Sequence, residues 1–201
     1  MLLPIRPGYS DETCTSHYQK ISSEHDVIVA TFQPGTENFF DSLHKLESRL
    51  FKAFETCPNN SRLFILMAEV QISLGNIQFA NLYGNKVLQM DPEKWRAHHI
   101  VGATLSMMGD FDTGIPYIKK AIALNPDHST LLFNLCSIYH TAKQYDNAVQ
   151  TCTEVLQRKD HQLQGPTYIL RGEAYLGLNQ QKKAQQDFNK AKFFGIGEDS
   201  P

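Results

Sequence analysis

Charge of one sign is what this chain most lacks. Nineteen Lys and Arg stand against 21 Asp and Glu in 201 residues, a formal net charge of −2. That leaves no basic footprint for nucleic acid and no polybasic patch for an anionic membrane. Long hydrophobic runs are missing too: nothing approaches the ~18 consecutive apolar residues of a membrane span. The opening MLLPIRPGYSDE has no apolar core of the ~7–15 residues that a secretory signal needs. DETCTS, around Cys14, does not resemble a lipoprotein cleavage site. A cytoplasmic location is therefore expected. Cysteine is scarce, with four residues and no CxxC. Cys14 and Cys57 are isolated, and Cys136 and Cys152 read as buried thiols acting as small hydrophobes. Neither a disulfide framework nor a metal site is expected.

Catalytic signatures are equally thin. The eight histidines include the adjacent pair His98 and His99, which would point about 100° apart on a helix and cannot easily share a metal. There is no HExxH, and GYSDE lacks the GxSxG of a nucleophile elbow. No GxxxxGK[ST] loop is present, and GIGEDS is expected to be a glycine-containing tail rather than a dinucleotide motif, since no helix follows it in this sequence. No pair of carboxylates is set out for acid–base work. The expectation is a protein without enzymatic activity, cofactor or metal.

What is present is a period. Pro58, Pro92 and Pro126 stand 34 residues apart, each after an amphipathic stretch. In segments 61–94, 95–128 and 129–162, position 8 is small (Ala68, Gly102, Cys136) and so is position 20 (Ala80, Gly114, Ala148). Position 11 is long or aromatic (Gln71, Leu105, Tyr139), and position 27 is Val87, Ala121 or Val155. A fourth copy, 165–198, fits once two residues, Leu163 and Gln164, are inserted; it supplies Gly172, Tyr175, Ala184 and Ala191. Small residues at 8 and 20 let two antiparallel helices approach closely, and larger ones elsewhere fill the space to the next unit. A fixed period of this kind marks stacked supersecondary units.

This layout resembles the tetratricopeptide repeat, across residues 61–195 and partly over 37–60. The resemblance implies an all-α fold, a right-handed superhelical α-solenoid of antiparallel helix pairs. Four repeats would be joined by an N-terminal half repeat. Helix pairs are expected near 63–74 with 77–90, 97–108 with 111–124, 131–142 with 145–157, and 167–178 with 181–194. Residues 36–60 read as a capping helix whose first partner is missing. Residues 1–35 read as an irregular leader, with VIVATF (27–32) as a possible strand. That leader is expected to be partly ordered and to pack on the first helices; the alternative is that it lies extended along the protein's own groove or adds to a partner. Residues 196–201 read as a tail. Nothing beyond AKFF supplies the polar cap that repeat arrays need, so Phe193 and Phe194 suggest a possible homo-oligomer through the uncapped C-terminal end.

In the resembled family, the first helices of successive repeats line a concave groove. By that resemblance the groove takes Arg62, Ile65 and Glu69 from the first full repeat. Arg96, His99, Ala103, Ser106 and Met107 come from the second, and Phe133, Asn134, Ser137, His140 and Thr141 from the third. Glu173 comes from the fourth. The family's carboxylate clamp for heat-shock chaperone tails is not matched: its positions hold His99, Ala103, Asn134, Pro166 and Leu170, of which Asn134 alone fits. The expected partner is a protein or peptide ligand with apolar anchors and a hydrogen-bonding backbone. The expected function is a non-enzymatic adaptor for protein–protein interaction. Alternatives are a bacterial secretion-type chaperone for a translocator or effector, and a self-assembling scaffold.

Overall fold

The structure, a computed structural model, describes residues 11–195. The expected tail and the first ten residues of the expected leader lie outside that range. The described residues form ten α-helices and no strand. They group into two compact units, one ending at Ile100 and the other beginning at Val101.

The first unit holds α1 (Asp11–Thr31), α2 (Glu37–Thr56), α3 (Ser61–Ser73) and α4 (Ile77–Met90), with the start of α5 (Trp95–Met107). The leader is therefore mostly helix, and the strand expected at 27–32 is not there. Its β-branched run has no neighbouring strand to pair with, whereas Cys14, Tyr18, Ile21, His25, Ile28 and Phe32 recur at alternating steps of four and three. That spacing makes one helical stripe. Ile21 and Ile28 are buried, and Cys14, Tyr18 and Phe32 pack against the same core as Leu43, Leu46, Leu50, Leu63 and Met67. The capping helix expected at 36–60 thus has a partner: α1 packs on α2 and on α3. Thr36 begins α2 by accepting the Phe39 N–H, and Asn60 begins α3 by accepting from Arg62 and Leu63. Each satisfies a donor that a helix start would leave bare.

The cysteines require a second correction. All four are paired, Cys14 with Cys57 and Cys136 with Cys152. Cys136 and Cys152 do lie in the interior, fully buried as expected. Positions 8 and 24 of one repeat face each other across the hairpin, with Cα atoms 5.3 Å apart. Cys14 and Cys57 look isolated in sequence, but the antiparallel course of α1 and α2 brings the start of one beside the end of the other. Their Cα atoms are 5.8 Å apart, within the range that a disulfide spans.

The second unit continues from α5 with α6 (Phe111–Leu124), α7 (Ser129–Thr141), α8 (Tyr145–Gln157), α9 (His161–Gly177) and α10 (Gln181–Lys192). Gly102 and Gly114 show why positions 8 and 20 are small. A Cβ on either would stand 2.8 Å from the other's carbonyl oxygen, so the α5–α6 hairpin closes backbone on backbone. α9 starts at His161, earlier than expected, because the two inserted residues are absorbed as helix and Asp160 caps it through the Gln162 N–H. Pro166 then falls inside α9.

The hairpin turns share one device. The amides of Asn76, Asp110, Gln144 and Gln180 donate to the carbonyls of Gln71, Leu105, Tyr139 and Tyr175. This is the six-to-one bond of a Schellman ending. It needs a left-handed residue before the donor, supplied by Gly75 (φ 79°) and Gly109 (φ 86°), then by Lys143 (φ 58°) and Asn179 (φ 59°). Gln71, the polar exception at position 11, is buried. Its amide donates to Glu47 at 2.6 Å and its carbonyl accepts from Asn76 at 2.9 Å. It thus ties α2 to the α3–α4 turn. Burial, and secondarily the Glu47 charge, push the neighbouring Tyr83 hydroxyl above its ordinary pKa.

Candidate functional site

The expected binding residues fall in both units. In the first, Arg62 is exposed at the start of α3, with its guanidinium 5.9 Å from the centre of the Tyr18 ring. Glu69, one turn from the end of α3, accepts from Arg96 Nη2 at 2.8 Å. Arg96 also lies 5.9 Å from the Trp95 ring centre. His99 is half-buried on α5. Ile65 is not available to a ligand: it is 3% exposed and packs with Ala68, Ala80 and Val87. Ala97 and Ile100, at the start of α5, join the same cluster, and that turns position 5 inward.

In the second unit most of the expected residues lie on α7. Leu131, Leu132, Leu135, Cys136 and Tyr139 are buried, while Phe133, Asn134, Ser137 and His140 are partly exposed and Thr141 is exposed. The partly exposed set follows i, i+1, i+4, i+7 and i+8, which is one helix face. Thr141 Oγ1 donates to the Ser137 carbonyl at 3.0 Å. His140 Nε2 lies 3.7 Å from Glu173 Oε2 on α9, an ion pair when the imidazole is protonated. The His140 ring sits 5.9 Å from that of Tyr145. Met107, at the end of α5, is 58% exposed.

Ser106 and Ala103 serve packing. The Ser106 hydroxyl donates to the Gly102 carbonyl at 2.8 Å and is buried against Gly114, so it belongs to the helix crossing and not to a ligand surface. Ala103 packs against the core around Ile118 and Leu135.

On α9, Arg171 joins three helices. Its guanidinium makes two hydrogen bonds to Asp187 on α10, at 2.7 and 2.9 Å, and one to Thr153 on α8 at 2.9 Å. Burial works against the Arg171 charge, but the bond to Asp187 and its carboxylate charge outweigh it and hold the pKa above the ordinary guanidinium value.

Tetratricopeptide-repeat family models match residues 105–165 and 165–192. Residues 105–192 are tetratricopeptide repeats. Among solved structures, a crystal structure of MamA is 21% identical over 77% of this chain and 90% of its own, with a TM-score of 0.68. MamA from residue 41 to its end, from Desulfovibrio magneticus RS-1, is 16% identical, covers 96% of this chain and 100% of its own, and has a TM-score of 0.73. At these identities the likeness speaks for the fold. No curated protein matches the sequence.

The tetratricopeptide pattern drew attention to the first helices of the repeats, and so away from α1. Lys20, Glu24, Arg49 and Lys52 were not among the expected site residues. The signal that would have found them is the four–three stripe of α1, which places His17, Lys20 and Glu24 along its flank. No helix among the described residues is long and apolar enough to cross a membrane.

Proposed function

We propose that this protein is a non-enzymatic adaptor that holds a partner peptide or helix on the exposed face of α7. The supporting observation is the arrangement of that helix. One side is locked into the core, while the other offers Phe133, Asn134, Ser137, His140 and Thr141 to solvent. Glu173, beside His140, is the one carboxylate among the expected residues of this unit, so recognition rests on an aromatic anchor and polar groups. The test is an affinity pull-down from source-cell extract with wild type and with Phe133→Asp plus Asn134→Ala, both checked for an equal melting temperature. A partner lost by the variant alone supports the α7 face; a partner held equally by both removes it.

One observation favours a scaffold as the second reading. Phe193 is 90% exposed, although Phe194 folds back onto Tyr168 with ring centres 6.1 Å apart. Light scattering that shows a single monomeric mass at high concentration would sink self-association. The compartment reading also shifts. Two disulfides support a protein that folds where thiols are oxidised, in place of the cytoplasm suggested by the N-terminal sequence. Titration of the purified, denatured protein should then find no free thiol.

A further inference from the structure

The seam between α1 and α2 carries features that the repeat framework does not use. One cavity of about 370 Å³ opens between His17 and Lys20 on α1 and Arg49 and Lys52 on α2, floored by Ile21 and Ala53. A second, of about 420 Å³, adjoins it along the same seam and is lined by Val27, Ile28 and Leu46, with Lys45 beside them. Arg49 borders both and is bound to Glu24. Glu24 is the one carboxylate lining either cavity, so its charge is already taken. Neither Lys20 nor Lys52 has an ion-pair partner among the described residues. His17 Nδ1 is buried and finds no hydrogen-bond partner among them.

We infer that this seam binds an acidic segment of a partner protein, with a carboxylate in the first cavity and an aliphatic side chain in the second. Two ammonium groups facing one cavity repel each other, and an entering carboxylate reverses the sign of that interaction. It gains charge-assisted hydrogen bonds from both. The second cavity is more apolar: Val27, 61% exposed, stands open at its wall, over the buried Ile28 and Leu46.

The anchors are separated by a definable length. Lys20 and Val27 are seven residues apart on α1, or roughly 10 Å at 1.5 Å per residue. An extended chain covers that in about three residues. The ligand is therefore a short extended stretch with Asp or Glu about three residues from Leu, Ile or Val. Cys14–Cys57 staples the seam at the end nearer the basic cavity, so the site is organised before binding. This surface is separate from the α7 face, and the two stand or fall independently.

The test uses the full chain and a labelled octapeptide with two adjacent glutamates and a leucine three residues on. Its controls are a twin with glutamine for glutamate and a twin with serine for leucine. Fluorescence anisotropy should show the acidic peptide binding about ten-fold or more tighter than the glutamine twin, as expected for charged hydrogen bonds. The serine twin should be weakened as well. Lys20→Gln with Lys52→Gln removes two exposed side chains, leaves the melting temperature unchanged, and should abolish the preference for glutamate. The proposal is overturned if the two peptides bind equally, or if the double variant binds as wild type does. It is also overturned if inorganic phosphate displaces the peptide while the serine twin binds undiminished, because the cavity would then be a site for small free anions.

Discussion

The α1–α2 pair and the α5–α6 pair follow the same hairpin plan with opposite contents. In α5–α6, Gly102 and Gly114 bring backbone against backbone. In α2 the position equivalent to Gly114 is Leu46, and the hairpin interior is filled by Leu46, Leu50, Ile21 and Ile28. Small residues at a crossing close the seam between two helices; large ones hold it open along its length. The open seam of α1–α2 has the two cavities, and it is held by a disulfide and by the Glu24–Arg49 pair at its centre. One hairpin closes backbone on backbone; the other packs large side chains and adds a disulfide across its seam.

That contrast can be broken in order of effect. The two ion pairs differ most. Asp187 and Arg171 have side chains 4% and 12% exposed, so Asp187→Ala leaves a buried guanidinium uncompensated and should cost about 3–5 kcal/mol, measured by guanidinium unfolding. The disulfides come next. Cys14–Cys57 joins residues 43 apart and Cys136–Cys152 residues 16 apart. The entropy of the closed loops gives about 4 kcal/mol for the first and about 3 kcal/mol for the second. Replacing each pair with serine should reproduce that order, and a larger loss at Cys136–Cys152 would show that burial outweighs loop length. Gly114→Ala places a methyl 2.6 Å from Ser106 Oγ and 2.8 Å from the Gly102 carbonyl. It should cost about 1–3 kcal/mol through forced separation of the helices. Lys143→Gly relieves a left-handed lysine and should gain about 0.5–1 kcal/mol. Glu24→Gln should cost less than about 1 kcal/mol, because both partners of that pair are more than a third exposed.

The repeat part of the fold was legible because its determinants are local and periodic. The small residues at positions 8 and 20 mark the crossings. Gly75 and Gly109 mark left-handed turns that recur at Lys143, where composition gives no hint. The early start of α9 was hidden because Leu163 and Gln164 read as an insertion between repeats, whereas a helix absorbs an insertion at its own N-terminus without disturbing the core. α1 was misread because VIVATF has high strand propensity, and propensity over six residues loses to a stripe that runs from Cys14 to Phe32. The Cys14–Cys57 bond was invisible for the same reason: without α1 as a helix, nothing brings residue 14 to residue 57.

Of the candidate site, the α7 residues were legible as one face of a periodic helix. Ile65 and Ser106 were assigned outward by register alone. Their burial depends on which neighbours crowd α3 and on the glycine pair beneath Ser106, and register does not carry that information.

The Cys14–Cys57 bond turns residues 14–57 into a covalent ring that includes the whole α1–α2 connection. A protease that cuts within residues 33–35 therefore releases nothing. The nicked molecule keeps its mass under non-reducing conditions, and α1 stays tethered beside α2 at high local concentration. A reductant then does what the protease alone cannot: it frees the first helix, and with it one wall of the seam.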